Sequence, residues 1–225
     1  MTTVKLILAD DETMIRAGLR AVLAADPAIE VVAEAGDGRE AVALTLEHRP
    51  DVVLMDIRMP VMDGLTATEE IKRAAPGTSV LVLTTFSEDE YVSRALGGGA
   101  SGFMLKSGDP RELLAGVHTA AAGASCLSAK VAQHVIAELN RGSARHRDVR
   151  LASLHERVTA LTAREREVLA LLGGGLSNAE IGRRIHVVEG TVKSYVSAIF
   201  TGLGVRNRVQ AAIVAYESGL IEHKD

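Results

Sequence analysis

Val52-Val-Leu-Met-Asp56 is a short apolar run that ends on a carboxylate, and the first half of the chain repeats this arrangement. The other runs and the polar residues that follow them are Val4-Lys-Leu-Ile-Leu-Ala9 with Asp10 and Asp11, Val80-Leu-Val-Leu83 with Thr84, and Gly102-Phe-Met-Leu105 with Lys106. Runs that are apolar on both faces and alternate with helix-length segments indicate a parallel sheet covered by helices. The pattern predicts a five-stranded, doubly wound α/β domain between residues 4 and 122. Helix caps are expected at Asp37 and Asp109, a capping box for Ser87 with Glu90, and a helix end at Gly123.

The polar residues after these strands are expected to meet, because parallel α/β sheets place their sites at the carboxyl edge. Asp10, Asp11 and Asp56 would then converge with the Thr84 hydroxyl and the Lys106 ammonium. Crowded carboxylates repel one another, and a hard divalent cation relieves that repulsion. We therefore expect a site for Mg²⁺ or Mn²⁺, with Asp56 as nucleophile toward a phosphoryl donor and with Thr84 and Lys106 on phosphoryl oxygens.

Each of these residues alone is also a common turn former, helix cap or solvated charge, and only the joint pattern favours a site. Two other classes of protein are compatible with the same residues. A haloacid-dehalogenase-like phosphohydrolase also has a strand-end Asp nucleophile, but it needs Asp-x-Asp where this chain has Asp10-Asp-Glu12. Such an enzyme would turn over a phosphomonoester steadily. The second class is a protein-interaction module. It would also be labelled by phosphate, but unlike a DNA-binding regulator it would show no salt-sensitive retention on DNA.

Charge is distributed unevenly along the 225 residues, whose formal net charge is −4. Up to residue 125 there are 11 Lys and Arg against 19 Asp and Glu, whereas residues 126–150 have 5 against 2 and residues 151–225 have 9 against 8. An acidic N-terminal part and a mildly basic C-terminal part indicate two domains, and the basic part is compatible with nucleic-acid contact. The single cysteine excludes an intramolecular disulfide, and no apolar stretch is long enough to span a membrane. A cytoplasmic location without membrane contact is therefore expected.

Four motifs in the first half carry a family resemblance: Asp10-Asp-Glu12, Met55-Asp-Ile-Arg-Met-Pro-Val-Met-Asp-Gly64, Leu83-Thr-Thr-Phe86 and Gly99-Ala-Ser-Gly-Phe-Met-Leu-Lys106. Together they resemble the receiver domain of two-component response regulators, which would occupy residues 1–123. The resemblance implies that the cation is held by Asp10, Asp11, Asp56 and the backbone carbonyl of Arg58. It also implies that a sensor histidine kinase phosphorylates Asp56 and that Thr84 and Lys106 sense the phosphate. Phe103 stands where receivers have an aromatic switch residue, so only burial of its ring could report the signal.

Residues 124–158 are expected to form a linker that carries one helix. The helix is predicted over 128–140, where Val131, Val135 and Leu139 have amphipathic spacing. A polar stretch follows at 141–150, and its four arginines fit either a solvated tether or contact with a phosphate backbone.

Four helical segments then crowd together, and they are predicted over residues 162–172, 177–185, 189–203 and 207–218. Thr162 with Glu165, and Ser177 with Glu180, have the spacing of capping boxes. The short turn His186-Val-Val188 favours a helix-turn-helix, whose second helix can enter the major groove of DNA. By spacing alone, a helical bundle used for protein docking is an equal alternative. The predicted fold is thus an α/β receiver followed by a small all-α, four-helix domain.

Four motifs of the second half resolve this alternative by resemblance: Leu161-Thr-Ala-Arg-Glu-Arg-Glu-Val-Leu169, Gly175-Leu-Ser-Asn-Ala-Glu-Ile-Gly182, Val188-Glu-Gly-Thr-Val-Lys-Ser194 and Leu203-Gly-Val-Arg-Asn-Arg208. They resemble the LuxR-type DNA-binding domain, here at residues 159–225, and the whole chain resembles the NarL/FixJ subfamily of transcriptional regulators. The resemblance implies contacts in the DNA groove by Lys193, Ser194 and Ser197. It implies phosphate contacts by Thr191, Arg206 and Arg208.

Three positions depart from that family pattern. Val188 stands where the family commonly has Ser, and it cannot accept the helix-capping hydrogen bond, a loss of about 1 kcal/mol. Ala198 and Gly202 stand where basic residues are often found, and each lost phosphate contact weakens DNA binding. We expect weak binding by one copy and useful affinity only for two copies on a repeated site.

These observations predict a transcriptional regulator rather than an enzyme. Phosphorylation of Asp56 by a histidine kinase would control homodimerisation and binding to a repeat in double-stranded promoter DNA. In the resting state the receiver would cover the segment 189–203, and phosphorylation would pull Thr84 inward and free the second domain.

Overall fold

The computed structural model describes residues 3–84, 94, 98–106, 109–124, 126–127 and 154–221. The chain divides into two compact units, Met1–Gln133 and His134–Asp225. This division falls within the predicted linker 124–158, whose own bounds stay a prediction. The predicted helix 128–140, the polar stretch 141–150 and a capping box expected for Ser87 with Glu90 lie outside the described residues.

The first unit contains a parallel sheet whose strands follow the order β2-β1-β3-β4-β5-β6. The strands are β1 (Val4–Ala9), β2 (Ile29–Ala35), β3 (Val52–Asp56), β4 (Ser79–Thr84), β5 (Gly102–Leu105) and β6 (Cys126–Leu127). The five predicted strands are confirmed. The sequence pattern does not predict β6, because two residues are too few to produce a periodic signal. β6 extends the sheet beyond β5 by pairing Leu127 with Phe103.

Helices pack on both faces of this sheet, and those in the described residues are α1 (Thr13–Leu23), α2 (Gly38–His48), α3 (Gly64–Ala74) and α4 (Pro110–Ala121). Three of them begin after an aspartate whose side chain accepts a backbone hydrogen bond, namely Asp37, Asp63 and Asp109. The caps predicted at Asp37 and Asp109 are confirmed. Gly123, with a φ of 69°, lies just beyond α4 and ends it as predicted.

The core beneath α1 and α4 consists of branched side chains that the strands direct to one face. Leu8, Leu54 and Leu81 are fully buried there and pack with Leu23 of α1 and Val117 of α4. Burial of each such side chain contributes about 1.5–3 kcal/mol. The core thereby holds the carboxyl ends of β1, β3 and β4 in a fixed relation to one another.

The strand order reverses between β1 and β3, and this point positions the site. β1 pairs with β2 on one side and with β3 on the other, where Ala9 lies opposite Met55. Open α/β sheets bind their ligands at such a switch point, outside the carboxyl ends of the strands. The residues that follow Ala9 and Met55 are Asp10 and Asp56.

The second unit is helical, as predicted. A helical stretch at 154–160 precedes α5 (Ala163–Gly173), α6 (Asn178–Ile185), α7 (Glu189–Leu203) and α8 (Arg208–Glu217). Both predicted capping boxes are present, Thr162 with Glu165 and Ser177 with Glu180. The predicted bounds of α7 agree with the structure, and those of its neighbours differ by at most one residue at either end, as helix ends commonly do. Within the described parts of the chain, no helix combines the length and apolar character that a membrane crossing requires.

The turn between α6 and α7 depends on close backbone packing. His186 ends α6 in the left-handed conformation with a φ of 59°, and Val187 N donates to the carbonyl oxygen of Gly182 at 2.9 Å. A Cβ at residue 182 would lie 2.8 Å from the Val187 carbonyl oxygen, so glycine allows this approach. The fully buried residues Val168, Ile181, Val192 and Ile199 then form the core of α5, α6 and α7.

Candidate functional site: acidic pocket and helix-turn-helix

The acidic pocket lies at the carboxyl ends of β1, β3 and β5. Lys106 follows β5, and its Nζ lies 2.7 Å from Asp10 Oδ2 and 2.8 Å from Asp56 Oδ1. Asp10 is fully buried, and the Lys106 side chain is 9% exposed. One ammonium therefore bridges two buried carboxylates, which brings together three of the residues that the sequence nominated.

The third carboxylate, Asp11, is exposed and lies beside this pair. Oxygen atoms of Asp10, Asp11 and Asp56 all lie within 4.8 Å of one another. Asp10 Oδ1 accepts a hydrogen bond from Glu12 N at 2.9 Å, whereas the ammonium of Lys106 is the one contact of Oδ2 found among the described residues. Clustered carboxylate oxygens with one incompletely satisfied buried atom fit a hard divalent cation such as Mg²⁺ or Mn²⁺.

Burial and the neighbouring charges have opposing effects on the pKa values of Asp56 and Lys106. Burial is the largest influence on Asp56 and raises the pKa of its carboxyl, although Lys106 partly opposes this. For Lys106, burial alone disfavours the ammonium, but the hydrogen bonds and charges of Asp10 and Asp56 outweigh it and raise the pKa of Lys106. The lysine therefore remains protonated at neutral pH and partly compensates the two carboxylates.

Thr84 and Phe103 lie on the two strands beside the pocket. Thr84 ends β4, is 7% exposed, and its carbonyl oxygen accepts a hydrogen bond from Lys106 N at 2.8 Å. Phe103 lies on β5 opposite Val82, and its ring is fully buried. The backbone thus joins Thr84 to Lys106, while the sensing roles of Thr84 and Phe103 stay predictions.

The loop after Asp56 contains a strained turn. Met62 N donates to the carbonyl oxygen of Pro60 at 2.6 Å, which forms a three-residue γ-turn around Val61. Val61 has a φ of 64° and is 75% exposed, an unfavourable conformation for a β-branched residue. A Cβ at Gly64 would overlap the carbonyl oxygen of Asp56, so glycine is required where α3 begins. The proposed cation contact of the Arg58 carbonyl, in the same loop, stays a prediction.

In the second unit, α7 presents most of the nominated DNA contacts at its surface. Lys193, Ser194 and Ser197 are exposed, and Thr191 is half-buried. Lys193 Nζ lies 3.2 Å from Glu189 Oε1, one turn earlier on the same helix. Arg206 is also exposed, in the turn that follows α7. This turn connects α7 to α8.

Comparisons with known proteins cover both units. Residues 6–118 match the family model of the response regulator receiver domain, and residues 159–215 match that of bacterial regulatory proteins of the luxR family. The transcriptional regulatory protein LnrK of Bacillus subtilis is 38% identical over 222 residues, which cover 96% of this chain and 98% of that protein. The response regulator protein VraR of Staphylococcus aureus is 38% identical over 220 residues, which cover 98% and 100%.

The chain is a response regulator with a LuxR-type DNA-binding domain. Its fold agrees with that of a solved structure of the response regulator ChrA from a heme-sensing two-component system. The TM-score is 0.54 at 33% identity, and the match covers 98% of this chain and 100% of ChrA. The resemblance to NarL/FixJ-type regulators is thereby confirmed. The family consists of transcriptional regulators and not of typical enzymes, and its receivers generally bind Mg²⁺ at an acidic cluster.

Arg208 differs from the other nominated DNA contacts of this response regulator because it is buried. Arg208 is 7% exposed at the start of α8. Its guanidinium donates to Asn178 Oδ1 at 3.0 Å and to the carbonyl oxygen of Leu176. Burial lowers the pKa of Arg208 to about 10, although Glu180 opposes the shift, so it stays charged at neutral pH. These hydrogen bonds connect α8 to α6 and to the residue before it, and the phosphate contact that the family resemblance implies for Arg208 stays a prediction.

Sequence reasoning also missed one residue that supports the acidic pocket. Arg16 on α1 donates from Nη1 to the carbonyl oxygen of Asp10 at 2.6 Å, and its Nε lies 3.4 Å from Glu34 Oε2. The only signal in the sequence is the spacing of Arg16 four residues after Glu12, which places it on the first turns of α1. Arg16 connects the end of β1 to β2 and so restrains the backbone that carries Asp10 and Asp11.

Proposed function

We propose that Asp56 of this response regulator accepts a phosphoryl group from a sensor histidine kinase and holds it as an acyl phosphate. The observation that carries the proposal is the ammonium of Lys106, which bridges the buried carboxylates of Asp10 and Asp56 at 2.7 and 2.8 Å. In the transfer, an Asp56 oxygen attacks phosphorus, the bond between phosphorus and the kinase imidazole nitrogen breaks, and that nitrogen takes up a proton. The product is one phosphate held on Asp56, not a released one.

Charge compensation explains why this carboxylate can act as the nucleophile. Lys106 already neutralises one of the two buried negative charges, and it is within reach of an oxygen of the incoming group. Asp10, Asp11 and Asp56, with the carbonyl of Arg58, would hold Mg²⁺ or Mn²⁺. Such an ion, when bound, neutralises charge on the phosphoryl oxygens. The Thr84 hydroxyl would donate to another phosphoryl oxygen.

We also propose how the molecule responds to phosphorylation. Phosphorylation controls homodimerisation, and two copies of the second unit bind a repeat in double-stranded promoter DNA. Lys193, Ser194 and Ser197 would contact the groove, while Thr191 and Arg206 contact phosphates. Exposure of Lys193, Ser194 and Ser197 on one helix supports this assignment. Transfer from a histidine kinase and access to the chromosome both require a cytoplasmic location, which is part of the proposal.

The test uses acetyl phosphate and Mg²⁺ with the full chain. The wild type should gain one phosphoryl group, measured by intact mass, dimerise in sedimentation and bind promoter DNA more tightly. Asp56→Asn should gain none and should not respond. The matched control is Asp51→Asn just before the opposite end of β3, where Asp51 Oδ2 accepts from Lys5 N and an amide oxygen can do the same. That variant should behave as wild type.

Three outcomes would contradict the proposal. Labelling of Asp56→Asn at the wild-type level would place the phosphate on another residue. Continuous release of phosphate from a phosphomonoester by the wild type would favour a phosphohydrolase instead. Labelling without any change in salt-sensitive DNA retention would favour a protein-interaction module.

A further inference from the structure

Val188 is the N-cap residue of α7, just before the helix begins, and its residue type is unusual for that position. Its side chain is 74% exposed, and no side chain caps the helix there. The N-cap residues of the neighbouring helices α5, α6 and α8 are Thr162, Ser177 and Asn207, and the side chain of each accepts a backbone hydrogen bond. The chain thus has an apolar residue in water where helix stability alone favours a hydroxyl or an amide.

The position of Val188 in the helix-turn-helix suggests a partner for this side chain. Val188 is the last residue of the turn between α6 and α7, and its backbone is extended with φ −72° and ψ 152°. In a helix-turn-helix, residues at the N-terminal end of the second helix contact base edges in the major groove. Gly190 is exposed, and a Cβ there would meet no atom within 4 Å. The methyl groups of Val188 are therefore not screened by a side chain at residue 190.

The charges next to Val188 compensate each other. Glu189 and Lys193 form an ion pair at 3.2 Å, so this part of the helix has no net charge from the two. The first turn accordingly presents an apolar side chain beside a neutralised pair. In the major groove, the apolar group among the base edges is the 5-methyl group of thymine.

We propose that Val188 is a specificity-determining residue that contacts the 5-methyl group of a thymine in the major groove. The proposal rests on the proposed DNA-binding function of α7 and adds the chemical group that this position recognises. The contact removes the Val188 methyl groups and the thymine methyl from water together. A base without that methyl group leaves the valine side chain against water in the groove, and binding is weaker.

The test removes the methyl group from the DNA and the valine from the protein separately. The full chain, treated with acetyl phosphate, selects duplexes from a random pool, and the consensus duplex is the probe. Each thymine is then replaced in turn by deoxyuridine, which lacks only the 5-methyl group. At one thymine of a half-site the replacement should weaken binding of the wild type about fourfold, the effect of exposing about one methyl-sized group. The other replacements are internal controls and should have no effect that depends on residue 188.

Two variants separate the contact from the stability of the fold. Val188→Ala removes the outer methyl groups without adding a cap, whereas Val188→Ser adds a hydroxyl that can cap α7. Val188→Ser should raise the Tm of the second unit by about 4 °C, and Val188→Ala should not. Both variants should bind thymine and deoxyuridine duplexes equally. Loss of discrimination despite a raised Tm cannot result from unfolding.

The outcomes distinguish the two levels of the proposal. The Val188 contact is overturned if both variants still discriminate between thymine and deoxyuridine duplexes. It is also overturned if the wild type binds its selected duplex but does not discriminate between the two bases. Either result leaves the proposed DNA binding intact. If the phosphorylated wild type selects no sequence at all, the proposed function fails, and the Val188 contact fails with it.

Discussion

At the scale of single residues, the position of Lys106 between two buried carboxylates determines the character of the pocket. The ammonium contacts both Asp10 and Asp56, and without it two negative charges would be buried side by side. Removal of one partner from a buried ion pair destabilises a protein more strongly than the intact pair stabilises it, because the remaining charge is left desolvated. Lys106 therefore affects stability and chemistry together.

Lys106→Met should lower the free energy of unfolding of the first unit by about 3 kcal/mol at pH 7. Burial raises the pKa of Asp56 and Lys106 opposes this, so the pKa of Asp56 should rise further in the variant. A carboxyl with a raised pKa in the folded state favours folding at low pH, and this contribution is lost as the pH rises through the folded-state pKa. The stability deficit of the variant should thus be largest near neutral pH and shrink toward the ordinary carboxyl pKa of 3.8.

Urea unfolding of wild type and variant between pH 4 and pH 8 measures this difference. Lys72→Met is a suitable control, since Lys72 Nζ donates to the carbonyl oxygens of Pro76 and Thr78, and no carboxylate in the described part of the chain is among its hydrogen-bond partners. Burial lowers the pKa of Lys72 to about 8, so its own titration affects stability only near the upper end of this range, and its deficit should stay constant from pH 4 to about pH 7. A Lys106→Met deficit that is constant from pH 4 to pH 8 would contradict the role of Lys106 as counterion of Asp56.

At the scale of helices and strands, the two arginines at the α7–α8 turn have opposite environments. Arg206 is exposed. Arg208 is buried, and its guanidinium donates hydrogen bonds to Asn178, the first residue of α6, and to Leu176, two residues earlier. The same residue type, two positions apart, is therefore expected to act on DNA at one position and on the fold at the other.

Arg208→Ala should lower the free energy of unfolding of the second unit by about 2 kcal/mol, because buried acceptors lose their donor. Arg206→Ala is the matched control and should lower the Tm less than Arg208→Ala does, because Arg206 is exposed, while it reduces the salt dependence of DNA binding by about one unit of slope. Calorimetry and DNA titration of both variants measure the two effects. A stable Arg208→Ala variant with weakened DNA binding would instead support the phosphate contact that the family resemblance implied.

These elements also illustrate what the sequence can predict. Strand bounds such as Val4–Ala9 and the capping boxes depend on neighbouring residues, and local spacing was sufficient for both. Burial of Arg208 depends on Asn178, 30 residues earlier, and arginine is usually exposed, so local patterns give no signal for it. The site residues Asp10, Asp56 and Lys106 were predictable because strand ends of one parallel sheet converge, a rule that applies over long distances.

At the scale of the whole molecule, the described residues form a hydrophobic cluster in each unit, and the proposed function requires that phosphorylation of one unit affects the other. The first 125 residues have 11 Lys and Arg against 19 Asp and Glu, and the last 75 have 9 against 8. Neither half has the strongly basic character that makes a single small domain bind DNA tightly, and α7 has Ala198 and Gly202 in place of further cations. We therefore expect useful affinity only for two copies on one DNA, where binding of the first raises the effective concentration of the second.

This coupling predicts a change in the salt dependence of DNA binding. Each phosphate contact releases counterions, so the slope of log affinity against log salt is proportional to the number of contacts, with a value of about −0.9 per contact. If phosphorylation pairs two copies, acetyl phosphate should approximately double the slope for the full chain on a duplex with two half-sites, and a duplex with one half-site should keep the single-copy slope. Asp56→Asn should keep that slope on both duplexes. A rise in affinity at constant slope would mean that phosphorylation improves the contacts of one copy without recruiting a second, because only additional phosphate contacts steepen the dependence on salt.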